Sequence, residues 1–366
     1  MIFRDQVATV WKNCCRSEPD QVKSCILEEP GRICVTEVAD PHPGDHDVVI
    51  RVRAALTCGT DLKAYRRGHP KFPCPTPFGH EFSGEIVEAG KGVSAFECGQ
   101  AVMSANTGPC LGCFHCVRGQ ENLCESLMPS MVVGAFAEYL LIPERVLRSN
   151  VYAKPDELPF DQAALLEPLS SVCFGLAQIP QATIEGGTAL IIGAGPIGLL
   201  WLVALRASGV ENVIVAARRP GRLAHASALG ASDTACEGDD LDSLIAERTA
   251  GRGADIVVEC TGLPEVWERV PGHARKGGTV VLFGGCPAGT RASFDTYRIH
   301  YDGVQIVSPF HFRPRDVAES YRLLTRADVD WSGFITSRAG LDDVPEIFAS
   351  LGDDGGVKCA ILPHGG

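Results

Sequence analysis

Several things are missing from this sequence, and each absence narrows what it can be. The first twenty residues, MIFRDQVATVWKNCCRSEPD, hold no apolar run of the length a secretory leader needs, and charges interrupt them throughout. The expected compartment is therefore the cytoplasm, where thiols stay reduced. No cluster of lysine and arginine stands out. The chain has 33 basic and 45 acidic residues, a formal net charge of −12, and an acidic surface repels phosphate backbones. Nucleic acid is not an expected partner. Internal repeats and low-complexity tracts are absent, and the acidic clusters at 237–242 and 353–354 are expected to be solvated loops. One stretch, Gly186 to Leu205, lacks charge over the length of a membrane span. Its glycines and Pro196 divide it into strand, tight turn and helix, so no membrane partner is expected.

What is present is an ordinary globular composition with two excesses. Apolar residues make up 45% and charged residues 21% of 366 residues, enough for a real core and for two or three domains. Collagen-like, disordered and small disulfide-scaffold classes are excluded. Glycine, at 40, and cysteine, at 16, are both high. In a reducing compartment cysteines point to metal, catalysis or burial rather than bridges.

Residues 1–21, with Cys14 and Cys15, form an extension to which no role is assigned. From Val22 short β-branched runs separated by Gly, Pro and Asp predict antiparallel strands, and this texture continues to about residue 150. From about Ala182 strand and helix alternate. Strands are expected at 188–194, 213–217, 255–260, 278–284 and 304–310, with helices at 196–208 and 220–229. That alternation predicts an α/β, doubly wound parallel sheet. After Phe312 a helix (RDVAESYRLL) and a closing strand (VKCAILP) are expected.

Gly193-Ala194-Gly195-Pro196-Ile197-Gly198 matches G-x-G-x-x-G between a predicted strand and a predicted helix, the context in which the pattern binds a dinucleotide. Gly193 permits the turn, Gly195 lets backbone approach a pyrophosphate, and Gly198 lets helix pack on strand. The helix N-terminus, with Pro196 and Ile197, offers free N–H groups. An NAD site has an acid at the end of the second strand; Ala217 stands there, followed by Arg218 and Arg219. Two guanidiniums without a carboxylate favour a 2′-phosphate, hence NADP over NAD, unless both arginines are solvated loop charges.

Cys110, Cys113, Cys116 and Cys124 give C-x2-C-x2-C-x7-C. Four thiolates close a tetrahedral sphere, which favours a structural zinc. An iron–sulfur cluster or unmetallated thiols are the alternatives, and His115 is a bystander. A second donor set is Cys58, in the segment CGTD, with His80 and Glu81 in GHE. These offer the S, N and O donors that a catalytic zinc takes. Glu167, in the apolar segment AALLEPLSS, would be costly to bury without a cation.

In this order, CGTD, GHE, the four-cysteine loop and GAGPIG closely resemble the zinc-containing medium-chain alcohol and polyol dehydrogenases, over about residues 22–366. The resemblance implies a Rossmann domain at 173–311. It also implies a mostly β, GroES-like catalytic zinc domain built from 22–172 and 312–366. It makes Cys58, His80 and Glu81 ligands of a catalytic zinc, with Glu167 bound directly or through water. Thr60 matches the hydroxyl that takes the substrate proton, and Asp61 an acid that supports the site. Lys63 stands where many members carry a relay histidine. The implied cofactors are two Zn2+ per chain and a nicotinamide, and the implied assembly is a homodimer or tetramer. The expected reaction moves a hydride between a secondary alcohol or polyol, or its ketone, and NADP. A zinc-independent quinone or enoyl reductase and a non-enzymatic NADP-binding redox sensor are the alternatives. Both lack a use for the Cys58–His80–Glu81 set. Arg298, His300 and Tyr301, and the segment 310–316, are open between pocket and surface.

Overall fold

The computed structural model describes residues 21–69, 72–236, 240–352 and 356–365. The expected extension, with Cys14 and Cys15, and most of the two acidic clusters lie outside these residues. The described part forms two compact units, one reaching to Glu167 and resuming at Phe334, the other Pro168–Gly333.

The first unit is built from two sheets. β1 (Gln21–Glu29) pairs with β2 (Arg32–Ala39) and β4 (Thr76–Pro77). A seven-stranded sheet runs β15 (Ile335–Ala339), β16 (Lys358–Ile361), β3 (Val48–Leu56), β5 (Glu81–Ala89), β6 (Ala101–Ser104) and β8 (Val151–Ala153), with β7 (Tyr139–Ile142) on β3. In β3, Val48, Ile50 and Val52 are buried while Arg51 and Arg53 face water, the period of two that places a strand on a core. That core gathers Val48, Ile50, Val52, Phe78, Phe82, Phe136 and Phe348. Each such side chain contributes roughly 1.5–3 kcal/mol on burial.

The second unit carries a six-stranded parallel sheet. Its order is β11 (Asp233–Cys236), β10 (Asn212–Ala217), β9 (Thr188–Ile192), β12 (Ala254–Glu259), β13 (Ala274–Leu282) and β14 (Gln305–Val307). Numbered within the unit this is 3-2-1-4-5-6, the doubly wound order. The charge-free stretch divides into β9, a glycine turn and the helix Pro196–Ala207. Its Trp201 is fully buried and meets Phe283 edge-on at 5.8 Å. Among the described residues no helix is long and apolar enough to cross a membrane.

Three details differ from expectation. Asp242 lies in a helix, Leu241–Thr249, and Asp240 is its N-cap, accepting from the Ser243 N–H at 2.9 Å. β14 spans only Gln305–Val307, because Pro309 follows and cannot donate to a ladder. The expected division at 311/312 falls inside the second unit, which runs to Gly333. The helix Pro314–Leu324 and its flanks are held there. The Arg313 guanidinium lies 4.5 Å from the Phe174 ring, and Arg326 donates to the Ala207 carbonyl at 3.0 Å.

Candidate functional site

The first donor set is assembled by strand register. Leu56 pairs with Glu81 across β3 and β5, and with Ala360 across β3 and β16. Cys58, two residues past Leu56, therefore meets His80 and Glu81 on one side and Lys358 on the other. Gly79 makes the entry into β5 possible: its φ is +88°, and a Cβ there would sit 2.8 Å from the Phe136 ring. The ligand atoms of Cys58, His80 and Glu81 all lie within 4.8 Å of one another. Thr60 and Asp61 follow Cys58 on the helix Gly59–Arg67. Cys58 is the N-cap of that helix, and its Sγ accepts from the Thr60 N–H at 3.4 Å. Lys63 lies on the exposed face of the same helix.

The surroundings suit a cation. Asp61 Oδ1 is 2.8 Å from His80 Nδ1, which leaves Nε2 to face the donor cluster. Burial acts to lower the His80 pKa, but the Asp61 carboxylate and Cys58 overcome it and hold the value well above the ordinary one. Glu81 is fully buried. Its Oε2 accepts from Lys358 Nζ at 2.5 Å, and its Oε1 has no hydrogen-bond partner. An orphaned carboxylate oxygen beside a thiol and an imidazole fits a zinc ion. Lys358 is itself buried and also donates to the Thr57 carbonyl at 2.9 Å. Burial acts to lower its pKa, and the charge of Glu81 raises it above the ordinary value. Glu167, in the first turn of the helix Leu166–Leu176, is buried and stands outside the three-donor cluster. Burial pushes its carboxyl up to about 7, against the nearby His80 charge.

The four cysteines are also brought together, with all sulfurs within 4.8 Å of one another. Cys110 N–H donates to Cys124 Sγ at 3.3 Å, and Cys113 N–H to Cys110 Sγ at 3.4 Å. Burial opposes the Cys124 thiolate, yet the Cys110 and Ser126 donors hold its pKa down to about 6. Backbone N–H groups aimed at clustered sulfurs fit a four-thiolate zinc.

In the second unit β9 ends at Ile192 and the chain turns through Gly193, whose φ is +111°. A Cβ on Gly198 would lie 1.8 Å from the Gly193 carbonyl oxygen, so only glycine lets this helix pack so closely. Gly195 is the N-cap of the helix Pro196–Ala207, and Gly195, Pro196 and Ile197 are all partly exposed. β10 ends at Ala217, and Arg218 and Arg219 follow it, both exposed. The turn lies at the carboxyl ends of β9 and β12, where the strand order reverses and ligands of doubly wound sheets bind. These backbone and arginine donors fit a dinucleotide phosphate.

Two residues of these sites escape sequence reasoning. Lys358 looks like one more position of the closing strand; its signal was a charge inside the apolar run VKCAIL. Arg222 brings its guanidinium to 3.4 Å from where a Cβ on Gly195 would stand, beside the turn. Arg298, left open by the sequence, pairs with Asp302, while Tyr297 and Tyr301 are exposed.

Comparison with known proteins gives two matching family models. Residues 44–155 match the alcohol dehydrogenase GroES-like domain, and residues 196–326 match the zinc-binding dehydrogenase domain. The chain is 30% identical over 342 residues to an L-threonine 3-dehydrogenase of Chelativorans sp. (strain BNC1), covering 91% of this chain and 96% of that protein. Among solved structures, a Sinorhizobium meliloti 1021 protein described as a zinc-binding dehydrogenase and bound to NADP superposes with a TM-score of 0.86. The two are 29% identical, over 94% of this chain and 100% of the other. The 2R,3R-butanediol dehydrogenase of Bacillus subtilis superposes with a TM-score of 0.80 at 27% identity, over 93% and 99% of the two chains.

Proposed function

The chain belongs to the zinc-containing medium-chain alcohol and polyol dehydrogenases, and from that premise we propose that it oxidises a secondary alcohol or polyol, reversibly, with NADP as hydride acceptor. The observation that carries this reading is the cluster of half-buried Cys58 with buried His80 and Glu81, its orphaned Glu81 oxygen, and Thr60 beside Cys58. A catalytic zinc at that cluster would polarise an alcohol oxygen as a Lewis acid, while a nicotinamide supplies the hydride chemistry. The chain's own residues do the rest. Cys58, His80 and Glu81 hold the ion, Glu167 adds a nearby carboxylate, and Asp61 fixes the His80 ring. The Thr60 hydroxyl takes the substrate proton and passes it outward, with Lys63 or water in place of a relay histidine. Cys110, Cys113, Cys116 and Cys124 hold a second, structural zinc. Gly193, Gly195, Pro196, Ile197 and Gly198 receive the pyrophosphate, and Arg218 and Arg219 after Ala217 take the 2′-phosphate.

Two relatives support the substrate class: L-threonine at carbon 3 and 2R,3R-butanediol each carry a secondary hydroxyl. The protein works in the cytoplasm and assembles with itself. Support for assembly comes from β14, the strand at the edge of the six-stranded sheet, preceded by exposed Tyr297, Ile299 and Tyr301. The test is a panel of polyols, diols and amino alcohols offered with NADP and with NAD. Turnover of a secondary alcohol with NADP preferred is expected. No turnover of any alcohol by zinc-loaded protein overturns the reading.

A further inference from the structure

The last residue of β12, Glu259, is fully buried, and among the described residues its partners are all neutral donors. Oε1 accepts from the Thr261 N–H at 2.5 Å, from the Thr261 hydroxyl, and from the Gly262 N–H at 3.0 Å. Oε2 accepts from Gly262 N–H at 3.2 Å and from Trp267 Nε1–H at 2.9 Å. The Glu259 main-chain carbonyl accepts from Phe283 and Gly284, and Trp267 Nε1–H is shared with the Gly284 carbonyl at 3.1 Å. One residue thus ties the loop after β12 to the loop after β13.

That loop also forms one wall of the glycine turn. The Cys260 N–H donates to the Ile192 carbonyl at 2.9 Å. A Cβ on Gly193 would meet Thr261 at 3.3 Å and Cys260 at 3.4 Å. A Cβ on Gly284 would stand 2.3 Å from the Gly262 nitrogen, so the loops after β12 and β13 interlock just as closely. Burying a carboxylate without a cation is costly, and an apolar side chain of like size would avoid that cost. It could not, however, accept from the Thr261, Gly262 and Trp267 donors together. In a doubly wound sheet the first three strands carry the adenine half of a dinucleotide, and the strands from β12 onward carry the nicotinamide half.

We propose that Glu259 is a positioning residue for the nicotinamide half of the cofactor, fixing the loop 260–263 against the glycine turn. This rests on the dinucleotide reading of that turn. The test uses the full-length, zinc-loaded protein. Dissociation constants are measured calorimetrically for NADPH and for 2′,5′-ADP, which carries the adenine half alone. In Glu259→Gln the amide keeps one oxygen for Thr261 and Gly262 but turns an NH2 group toward the Trp267 N–H. NADPH is expected to bind about tenfold more weakly, about 1.4 kcal/mol, with 2′,5′-ADP changed by less than about twofold. Adding Trp267→Phe removes the facing donor and restores most of the NADPH affinity. Should Glu259→Gln not yield folded protein, Thr261→Val deletes the hydroxyl that donates to Glu259 and accepts from the Leu263 N–H, at constant shape, and gives the same split at about threefold. Equal weakening of both ligands, or no weakening of NADPH, overturns the positioning role. A wild-type protein that binds neither ligand overturns the dinucleotide reading itself, a result distinct from wild-type binding with unaltered variants.

Discussion

Replacing Lys358 with methionine separates the two partners that Glu81 can have. The native ion pair, 2.5 Å from Lys358 Nζ to Glu81 Oε2, is buried on both sides. At an effective dielectric of about 20, Coulomb's law gives roughly 6–7 kcal/mol of gross attraction at that separation. Desolvation of both charges offsets much of it, and removing one partner of a buried pair costs about 3–5 kcal/mol. The Thr57 carbonyl also loses its lysine donor. In metal-free protein the larger cost should appear, because Glu81 is left buried with only the neighbouring His80 charge, which Asp61 already pairs. With zinc bound, the ion takes over as the counter-charge and the cost should fall by about 1–2 kcal/mol or more. By linkage the variant should then bind zinc more tightly than the native protein does. Denaturant unfolding of both proteins, with and without chelation, measures all four states. An equal loss of stability in the metal-free and metal-loaded forms would refute the idea that Lys358 and zinc share Glu81.

Other expectations follow from the same geometry. In metal-free protein the folded-state pKa of Glu167, about 7, lies above its unfolded value near 4.3. The folded state therefore keeps a proton that the unfolded state has lost. This stabilisation is full below about pH 4 and fades as pH rises through about 7, by up to ~1.4 kcal/mol per pH unit. Glu167→Gln should flatten that slope in urea titrations, and identical slopes would count against the burial argument. Replacing Arg218 and Arg219 together with alanine should raise KM for NADP about tenfold or more while leaving KM for NAD within about twofold. Steady-state kinetics with the two cofactors checks this. Cys110→Ala should lower the zinc content by one per chain, measured by atomic emission, with the Cys58–His80–Glu81 site still loaded.

Much of this was legible because the signals are local. GAGPIG sits in six consecutive positions between strand and helix, so its neighbours in sequence are its neighbours in space. The four cysteines lie within a single loop of fifteen residues, Cys110 to Cys124. The helix Pro196–Ala207 ends one residue before expectation, with Ser208 as its C-cap and Gly209, φ +98°, after it. What the sequence hid is carried by pairings between distant segments. Lys358 reaches Glu81 from 277 residues away, and only the β16–β3–β5 register shows that they meet. The Leu241–Thr249 helix was obscured because its capping Asp240 belongs to an acidic cluster that looks solvated. Glu259 resembles any strand-end glutamate until its donors are seen to come from the loop that it ties down.

The central claim is that Cys58 holds a zinc on which alcohol oxidation depends, separately from cofactor binding. The most direct measurement compares native protein with Cys58→Ala for zinc content, NADPH affinity and turnover of a secondary alcohol. The account predicts two zinc ions per native chain and one in the variant. It also predicts undiminished NADPH binding and no measurable turnover in the variant. Native-level turnover in Cys58→Ala, at whatever zinc content, would contradict it.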